Sequence, residues 1–325
     1  MELKPVILPK VSIIVPVYFN VDSLPHLFLE LETLEFNCKD VKFEFIFVDD
    51  GSKDNSDSII LTFWAKKNNV IFVKLSRNFG AINASTTGLE YATGDCVIFL
   101  AADLQDPPEL ISKMIAAWRN GYKFVICERE SRKDSFRVKI FANFYYSMLR
   151  KFVLPDFPKG GFDLALMDKV MVPVLLKSSK TSYIPILAWW QGFTPYVIKY
   201  HRLKREHGKS KWTLAKRINA MVDIFLGFSI APIRTFFYLG SVVSLASVGY
   251  GAWIITQATI GKVPVQGFAT LTVLLSFFSG IIISGISVIG EYLWRVLDQV
   301  NSRPRAIVEQ VYPCNLEESD NRSIS

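Results

Sequence analysis

The chain has 325 residues, 50% hydrophobic and 21% charged, with 37 Lys and Arg against 30 Asp and Glu and a formal net charge of +7. Its mean hydropathy is +0.25, which excludes a disordered or collagen-like chain and leaves room for one large or two smaller domains, with an apolar excess held in one region. Cys38, Cys96, Cys127 and Cys314 form no C-x-x-C pair and have no His at ligand spacing, so neither a disulfide framework nor a structural zinc site is expected, and a reducing compartment is the default.

Residues 1–10 hold no apolar stretch long enough for a signal peptide, so the first domain is expected to stay in the cytoplasm. Apolar runs rich in β-branched and aromatic residues follow at Val11–Val17, Phe43–Val48, Val70–Leu75, Cys96–Leu100 and Phe124–Cys127, and they read as strands. Segments of helical spacing separate them at Leu24–Leu34, Ser58–Lys67, Ala81–Ala92 and Pro108–Trp118. This βαβα alternation predicts the α/β class: a Rossmann-like, mainly parallel sheet with helices on both faces and ligands at the carboxyl ends of its strands.

Two of those ends carry carboxylates. Val48 runs into Asp49-Asp50-Gly51-Ser52. Adjacent acids of this kind need a cation, a sugar hydroxyl or a base N–H beside them, or else form a solvated turn that caps a helix. Leu100 runs into Ala101-Ala102-Asp103-Leu104-Gln105-Asp106-Pro107-Pro108-Glu109. Asp103, Gln105 and Asp106 offer hard oxygen donors of the kind Mg²⁺ or Mn²⁺ accepts together with water and diphosphate oxygens. Asp106, just before Pro107, is also expected to cap the following helix.

Glu128-Arg129-Glu130-Ser131-Arg132-Lys133 brings three cations to a strand end, suited to a phosphate or simply a solvated charge run. Phe136–Leu154 is amphipathic. Between Lys199 and Arg217 stand eight basic residues against the single acid Glu206, a cluster suited to anionic lipid or a lipid phosphate. Nucleic acid is not expected as a partner, since it would need aromatic stacking platforms in a soluble groove. Trp212–Ser229 reads as an interfacial amphipathic helix.

Thr235–Thr256 and Gly267–Gly290, 22 and 24 residues, carry no charge. As helices they extend about 33 and 36 Å against a hydrocarbon core of roughly 30 Å. Residues 257–266 are enough to turn a hairpin, so both ends face one side. Lys209, Lys211, Lys216, Arg217 and Arg234 before it and Arg295, Arg303 and Arg305 after it place that side in the cytoplasm.

Val15-Pro16-Val17-Tyr18, Val48-Asp49-Asp50-Gly51-Ser52, Ser76-Arg77-Asn78-Phe79-Gly80, Gly94-Asp95 and the run from Ala102 to Glu109 form an ordered set. On these motifs the chain resembles the inverting GT-A glycosyltransferases of family 2. Within them it resembles the polyprenyl-phosphate glycosyltransferases, the group containing dolichyl-phosphate mannose synthase and the bacterial enzymes that glucosylate undecaprenyl phosphate. The resemblance covers nearly the whole chain, including both spans and the Gly290-Glu291-Tyr292-Leu293 that closes the second.

The resemblance implies a GT-A catalytic domain over 1–211, an interfacial helix over 212–231, transmembrane helices over 232–258 and 266–296 and a cytosolic tail over 297–325, multi-pass in the inner (plasma) membrane. It assigns the nucleotide sugar to Pro16, Tyr18, Asp49, Asp50, Ala102 and Asp103, a Mg²⁺ or Mn²⁺ ion to Asp103 and Gln105, and catalysis to Asp163 and Asp103. The acceptor phosphate falls to Arg129, Arg132, Arg205, Ser210 and Lys211. The chain departs from the family pattern in three places: Phe19-Asn20-Val21 replaces the usual Asn-Glu, Ala101 replaces the first Asp of the metal motif, and Ala165 replaces an Arg two positions after Asp163. The implied activity is transfer of a sugar, with glucose from UDP-glucose the first choice, to polyprenyl (undecaprenyl) phosphate on the cytoplasmic face, making a lipid-linked sugar for cell-surface glycans. GDP-mannose-dependent mannosyl transfer and a catalytically degenerate nucleotide-sugar-binding protein are the alternatives. Homo-oligomerisation is compatible with either.

Overall fold

A computed structural model describes residues 8–129, 136–178, 183–201, 214–229, 231–260, 267–301 and 303–314. The five expected strands form as β1 (Lys10–Val17), β2 (Lys42–Asp49), β3 (Val70–Leu75), β4 (Cys96–Phe99) and β5 (Phe124–Arg129). Between them run α1 (Leu24–Asn37), α2 (Ser56–Trp64), α3 (Ala81–Glu90) and α4 (Glu109–Arg119), and α5 (Phe136–Phe152) follows β5. Three further strands are not among those the sequence predicts. They are β6 (Phe162–Asp168), β7 (Pro195–Tyr200), which follows α6 (Val172–Lys177) and α7 (Ile184–Trp190), and β8 (Val308–Tyr312), near the C-terminus.

The sheet has eight strands in the order β7-β5-β6-β4-β1-β2-β3-β8. Pairing is parallel from β4 through β1 and β2 to β3, and again between β5 and β7. Only β6 and β8 run against their neighbours. Because β6 is reversed, its amino end, with Phe162 and Asp163, reaches the same edge as the carboxyl ends of the parallel strands. β1 and β2 are buried along nearly their whole length, as continuous apolar runs must be when helices cover both faces. Val11, Ile13, Val15, Phe45 and Phe47 pack with residues of α1, α2 and α4 such as Leu27, Ile60 and Ile111. On the opposite face α3 comes so close that a Cβ on Gly88 would lie 2.6 Å from Ile14, which is why that helix carries glycine.

Residues 297–325, expected as a tail, hold β8 instead. Tyr312 stacks on Phe72 at 5.4 Å, and the Trp64 indole donates to the Pro313 carbonyl at 2.9 Å. This short antiparallel strand thus covers the open edge of β3.

The chain divides into two units, residues 1–218 with 304–325, and residues 219–303. The second unit contains α9 (Ala231–Thr259), α10 (Phe268–Val300) and most of the amphipathic α8 (Leu214–Phe228). Within α9 and α10, Ala231–Tyr250 and Phe277–Val300 are long and apolar enough to cross a membrane. Their large apolar side chains point outward, with Leu245 75% and Leu275 64% exposed, as lipid-facing residues do and core residues do not. At one end of this unit Arg295 takes Asp223 at 2.7 Å and Glu291 at 3.2 Å, and the Tyr292 hydroxyl donates to the Ser229 carbonyl at 3.0 Å. The Gly-Glu-Tyr-Leu motif therefore fastens α8 to α10. The adjoining cavity of about 470 Å³, lined by Asp223 and Glu291 among others, has two carboxylates against one guanidinium, the wrong sign to attract a phosphate.

Candidate active site

The loops after β1, β2, β3 and β4 meet at the carboxyl edge of the sheet, and backbone and side-chain hydrogen bonds fix them to one another. After β2 the Asp50 amide donates to the Val17 carbonyl at 2.8 Å, joining the ends of β1 and β2. The Asp50 carboxylate accepts from the Phe79 and Gly80 amides at 2.6 and 2.9 Å and from the Asn78 side chain at 3.0 Å. Gly51, at φ +70°, lies so close to this loop that a Cβ would stand 2.6 Å from the Arg77 carbonyl carbon. The Asp-Asp-Gly-Ser and Ser-Arg-Asn-Phe-Gly motifs are thus one interlocked unit, and glycine is required both by the backbone angle and by the approach.

The loop after β1 is held in the same way. The amides of Phe19, Asn20 and Val21 donate to Ser52 Oγ at 3.0 Å, Ser56 Oγ at 3.1 Å and Asp54 at 3.2 Å. These bonds hold Phe19 in the left-handed region at φ 57°, a conformation that costs a non-glycine residue energy unless its surroundings impose it. Asn20 also accepts from the Tyr18 amide and donates to Ser23, so the Phe-Asn-Val segment that replaces Asn-Glu has become part of the turn's own bonding. Pro16 and Tyr18 lie half-buried beside it.

Asp49 and Asp50 are almost completely buried. Burial, the largest influence, pushes the Asp50 carboxyl up to about 6 although the Phe79 and Gly80 amides pull it down and Asp49 adds repulsion. Burial also raises Asp49, against hydrogen bonds from Ser52.

The loop after β4 carries the proposed metal motif. Ala101, Asp103 and Gln105 are partly exposed there and Ala102 is buried. Ser23 Oγ donates to the Ala102 carbonyl at 2.7 Å and the Gln105 amide to Asp103 at 3.3 Å. The expectation that Asp106 caps the next helix is not met. Pro108 is the N-cap of α4, while Asp106 is 4% exposed and accepts from the Tyr200 hydroxyl at 2.5 Å. A buried carboxylate takes the donor that lies within reach, here one from the end of β7. Among the described residues no three His, Cys, Asp or Glu side chains converge as metal ligands.

On the other side of the edge, Arg129 at the end of β5 forms an ion pair with Asp163 at the start of β6. The two residues, expected to serve phosphate binding and catalysis separately, form one pair because β6 runs antiparallel to β5. Arg132, Arg205, Ser210 and Lys211 lie outside the described residues. Gly94-Asp95 is not at the site. It lies at the opposite edge, where Asp95 accepts from the Lys10 amide at 3.1 Å and from Lys169 at 2.6 Å. Sequence reasoning missed Tyr200, whose only local signal is a tyrosine closing a strand-like run.

Residues 12–170 match the profile of Glycosyl transferase family 2. A glycosyltransferase of Synechocystis with no assigned activity is 35% identical over 305 residues, spanning 93% of this chain and 96% of that protein. A bactoprenol glucosyl transferase of Shigella phage SfX is 32% identical over 302 residues, spanning 92% of this chain and 99% of that protein. Among solved structures, a mannosyltransferase from Pyrobaculum calidifontis in complex with GDP-Man and Mn²⁺ is 16% identical, with a TM-score of 0.47 over 92% of this chain and 89% of that one. With nearly full-length relatives above 30% identity and an α/β sheet of the GT-A type, the chain belongs to glycosyltransferase family 2.

Proposed function

We propose that this glycosyltransferase moves a hexose, glucose from UDP-glucose first among donors, onto the phosphate of a polyprenyl (undecaprenyl) lipid at the cytoplasmic face of the plasma membrane. The observation that carries this reading is where the apolar helices are inserted. The chain leaves the sheet at Tyr200 and returns at Val308, and the pairing of β7 with β5 and of β8 with β3 puts both points on the edge that holds Asp49, Asp103 and Asp163. An enzyme whose acceptor dissolved in water would not need its apolar helices joined to the sheet at the edge that carries its chemistry. Full-length similarity to a protein named for bactoprenol glucosyl transfer supports the same substrate pair.

In this reading a phosphate oxygen of the acceptor attacks the anomeric carbon. The bond from that carbon to the nucleoside diphosphate breaks, the configuration inverts and the diphosphate departs. The acceptor monoester, with a second pKa of about 6, is already mostly doubly ionised at neutral pH, so no strong general base is required. Arg129 neutralises the incoming phosphate and Asp163 orients that guanidinium, with Arg132, Arg205, Ser210 and Lys211 completing the phosphate site. Asp49 and Asp50 shape the pocket for base and ribose beside Pro16 and Tyr18. Asp103 and Gln105 would hold Mg²⁺ or Mn²⁺, which when bound supplies positive charge to the leaving diphosphate. One carboxylate and one amide suit an ion whose other positions belong to diphosphate and water.

The test is purified full-length protein with undecaprenyl phosphate and a panel of UDP- and GDP-sugars, with and without Mn²⁺. Transfer from UDP-glucose is expected, and Asp163→Ala should slow it by about 100-fold or more. Turnover with GDP-mannose alone would reassign the donor, and wild-type rates in Asp163→Ala would remove that residue from the mechanism.

A further inference from the structure

We infer that Tyr200 is a positioning residue that ties the donor-side loop carrying Asp103 to the acceptor-side pair Arg129–Asp163. β7 is an edge strand and its middle residues are exposed, yet Tyr200 at its end is only 6% exposed. Its hydroxyl donates to Asp106 across 94 residues of sequence. Tyr200 is also the register partner of Arg129 across the parallel β5–β7 pair, so the two side chains leave the same face of the sheet side by side. Arg129 in turn holds Asp163.

The phenol donates to the buried carboxylate, and the guanidinium beside it is held by Asp163. A phenol placed inside a protein requires such a partner, and a buried carboxylate requires a donor. The result is a continuous line, Asp163–Arg129–Tyr200–Asp106. Asp106 stands three residues after Asp103 in the same loop. Sugar transfer needs the reacting atoms of donor and acceptor held in line at about 3–3.5 Å, and this line spans the gap between the residues assigned to each.

The inference rests on the transfer reaction proposed above, and its test separates the two. In full-length protein supplied with undecaprenyl phosphate and the best donor, Tyr200→Phe keeps the ring and removes the hydroxyl. The expected result is a kcat lowered about tenfold with the KM for the donor and the affinity for UDP within about twofold of wild type. Tyr200→Phe combined with Asp106→Asn should be no slower than the slower single variant, since both break the same link. Multiplying losses, or a wild-type kcat in Tyr200→Phe, would overturn the inference. Hydrogen exchange supplies a readout without turnover. Tyr200→Phe should raise exchange in both 101–106 and 159–163 while leaving 49–56 unchanged, and an effect confined to β7 would overturn the coupling. A wild-type protein that transfers no sugar counts against the proposed reaction alone, because the exchange pattern still decides the coupling. If Asp106→Asn fails to fold, Arg129→Lys takes its place in the cycle.

Discussion

Glu44 near the amino end of β2 and Asp50 just past its carboxyl end are both 2% exposed, yet their surroundings differ in kind. Glu44 accepts from the Lys10 ammonium at 2.5 Å, from Ser12 Oγ at 2.6 Å, and from the Thr93 hydroxyl and amide at 2.8 and 2.9 Å. Burial raises its pKa, but these donors, Lys10 first, bring it below the usual value. Asp50 has three amide donors and a second carboxylate as its neighbour, and burial leaves it raised to about 6. One end of the strand is neutralised from within. The other keeps negative charge that a base N–H, a ribose hydroxyl or a cation can use, the pattern that marks a site against a structural network.

Substituting glycines separates the two ends most sharply. Gly51→Ala would force a Cβ against the Arg77 backbone at a φ of +70°, and since the obstacle is main chain the Ser76–Gly80 loop must move. We expect a loss of about 2–4 kcal/mol and a weakening of UDP binding by at least about tenfold. Gly94→Ala at the amino end meets Ser12 Oγ at 2.6 Å. It should cost similar stability while the folded protein keeps wild-type affinity for UDP. Thermal melting with calorimetric UDP titration decides. Equal loss of UDP binding in both variants would end the division between the poles.

The two carboxylates should also titrate with opposite signs. Glu44 has a lowered pKa, so its contribution to stability is present at neutral pH and is lost as pH falls through its folded value. Asp50 is raised from 3.8 to about 6. Above that the folded chain carries a disfavoured charge, and the cost disappears as pH falls from about 6 towards 3.8. On acidification from pH 7 to 4, wild type should therefore gain stability relative to Asp50→Asn, by at most about 3 kcal/mol, and below pH 4 it should lose stability relative to Glu44→Gln. Melting curves of the three full-length proteins across this range test it, and the same sign for both would refute the contrast.

Much of this edge is legible in the sequence, because β1 to β5 are continuous apolar runs and their carboxyl ends carry short polar motifs at fixed places. What is not legible depends on long-range pairing. The segment Phe162–Asp168 gives no sign that it runs antiparallel between β4 and β5, and only that reversal brings Asp163 to Arg129. β8 holds only the five residues Val, Glu, Gln, Val and Tyr, without the strict alternation that marks a strand and too short to stand out after a long apolar helix, and its partner β3 lies more than 230 residues earlier. Asp106 reads as a helix cap because the preference for caps is local, whereas Tyr200 reaches it from 94 residues away. Gly94-Asp95, which sequence order groups with the site, belongs to the opposite pole because it precedes β4 instead of following it.

The smallest effect concerns the metal motif, where the carboxyl pole is one acid short of its family pattern. With Ala101 partly exposed beside Asp103 and Gln105, Ala101→Asp adds a second hard carboxylate to the loop without displacing a buried side chain. Affinity for such ions follows ligand charge and number, so Mn²⁺ should bind the nucleotide-free variant about tenfold more tightly, as read by electron paramagnetic resonance of the free ion. With UDP present the difference should shrink, because diphosphate oxygens then supply most of the coordination and one protein carboxylate counts for less. A variant that binds Mn²⁺ no better without nucleotide would mean that position 101 does not face the ion. A gain that persists undiminished with UDP would mean that the protein, and not the diphosphate, supplies most of the ligands, contrary to the sparse donor set at this pole.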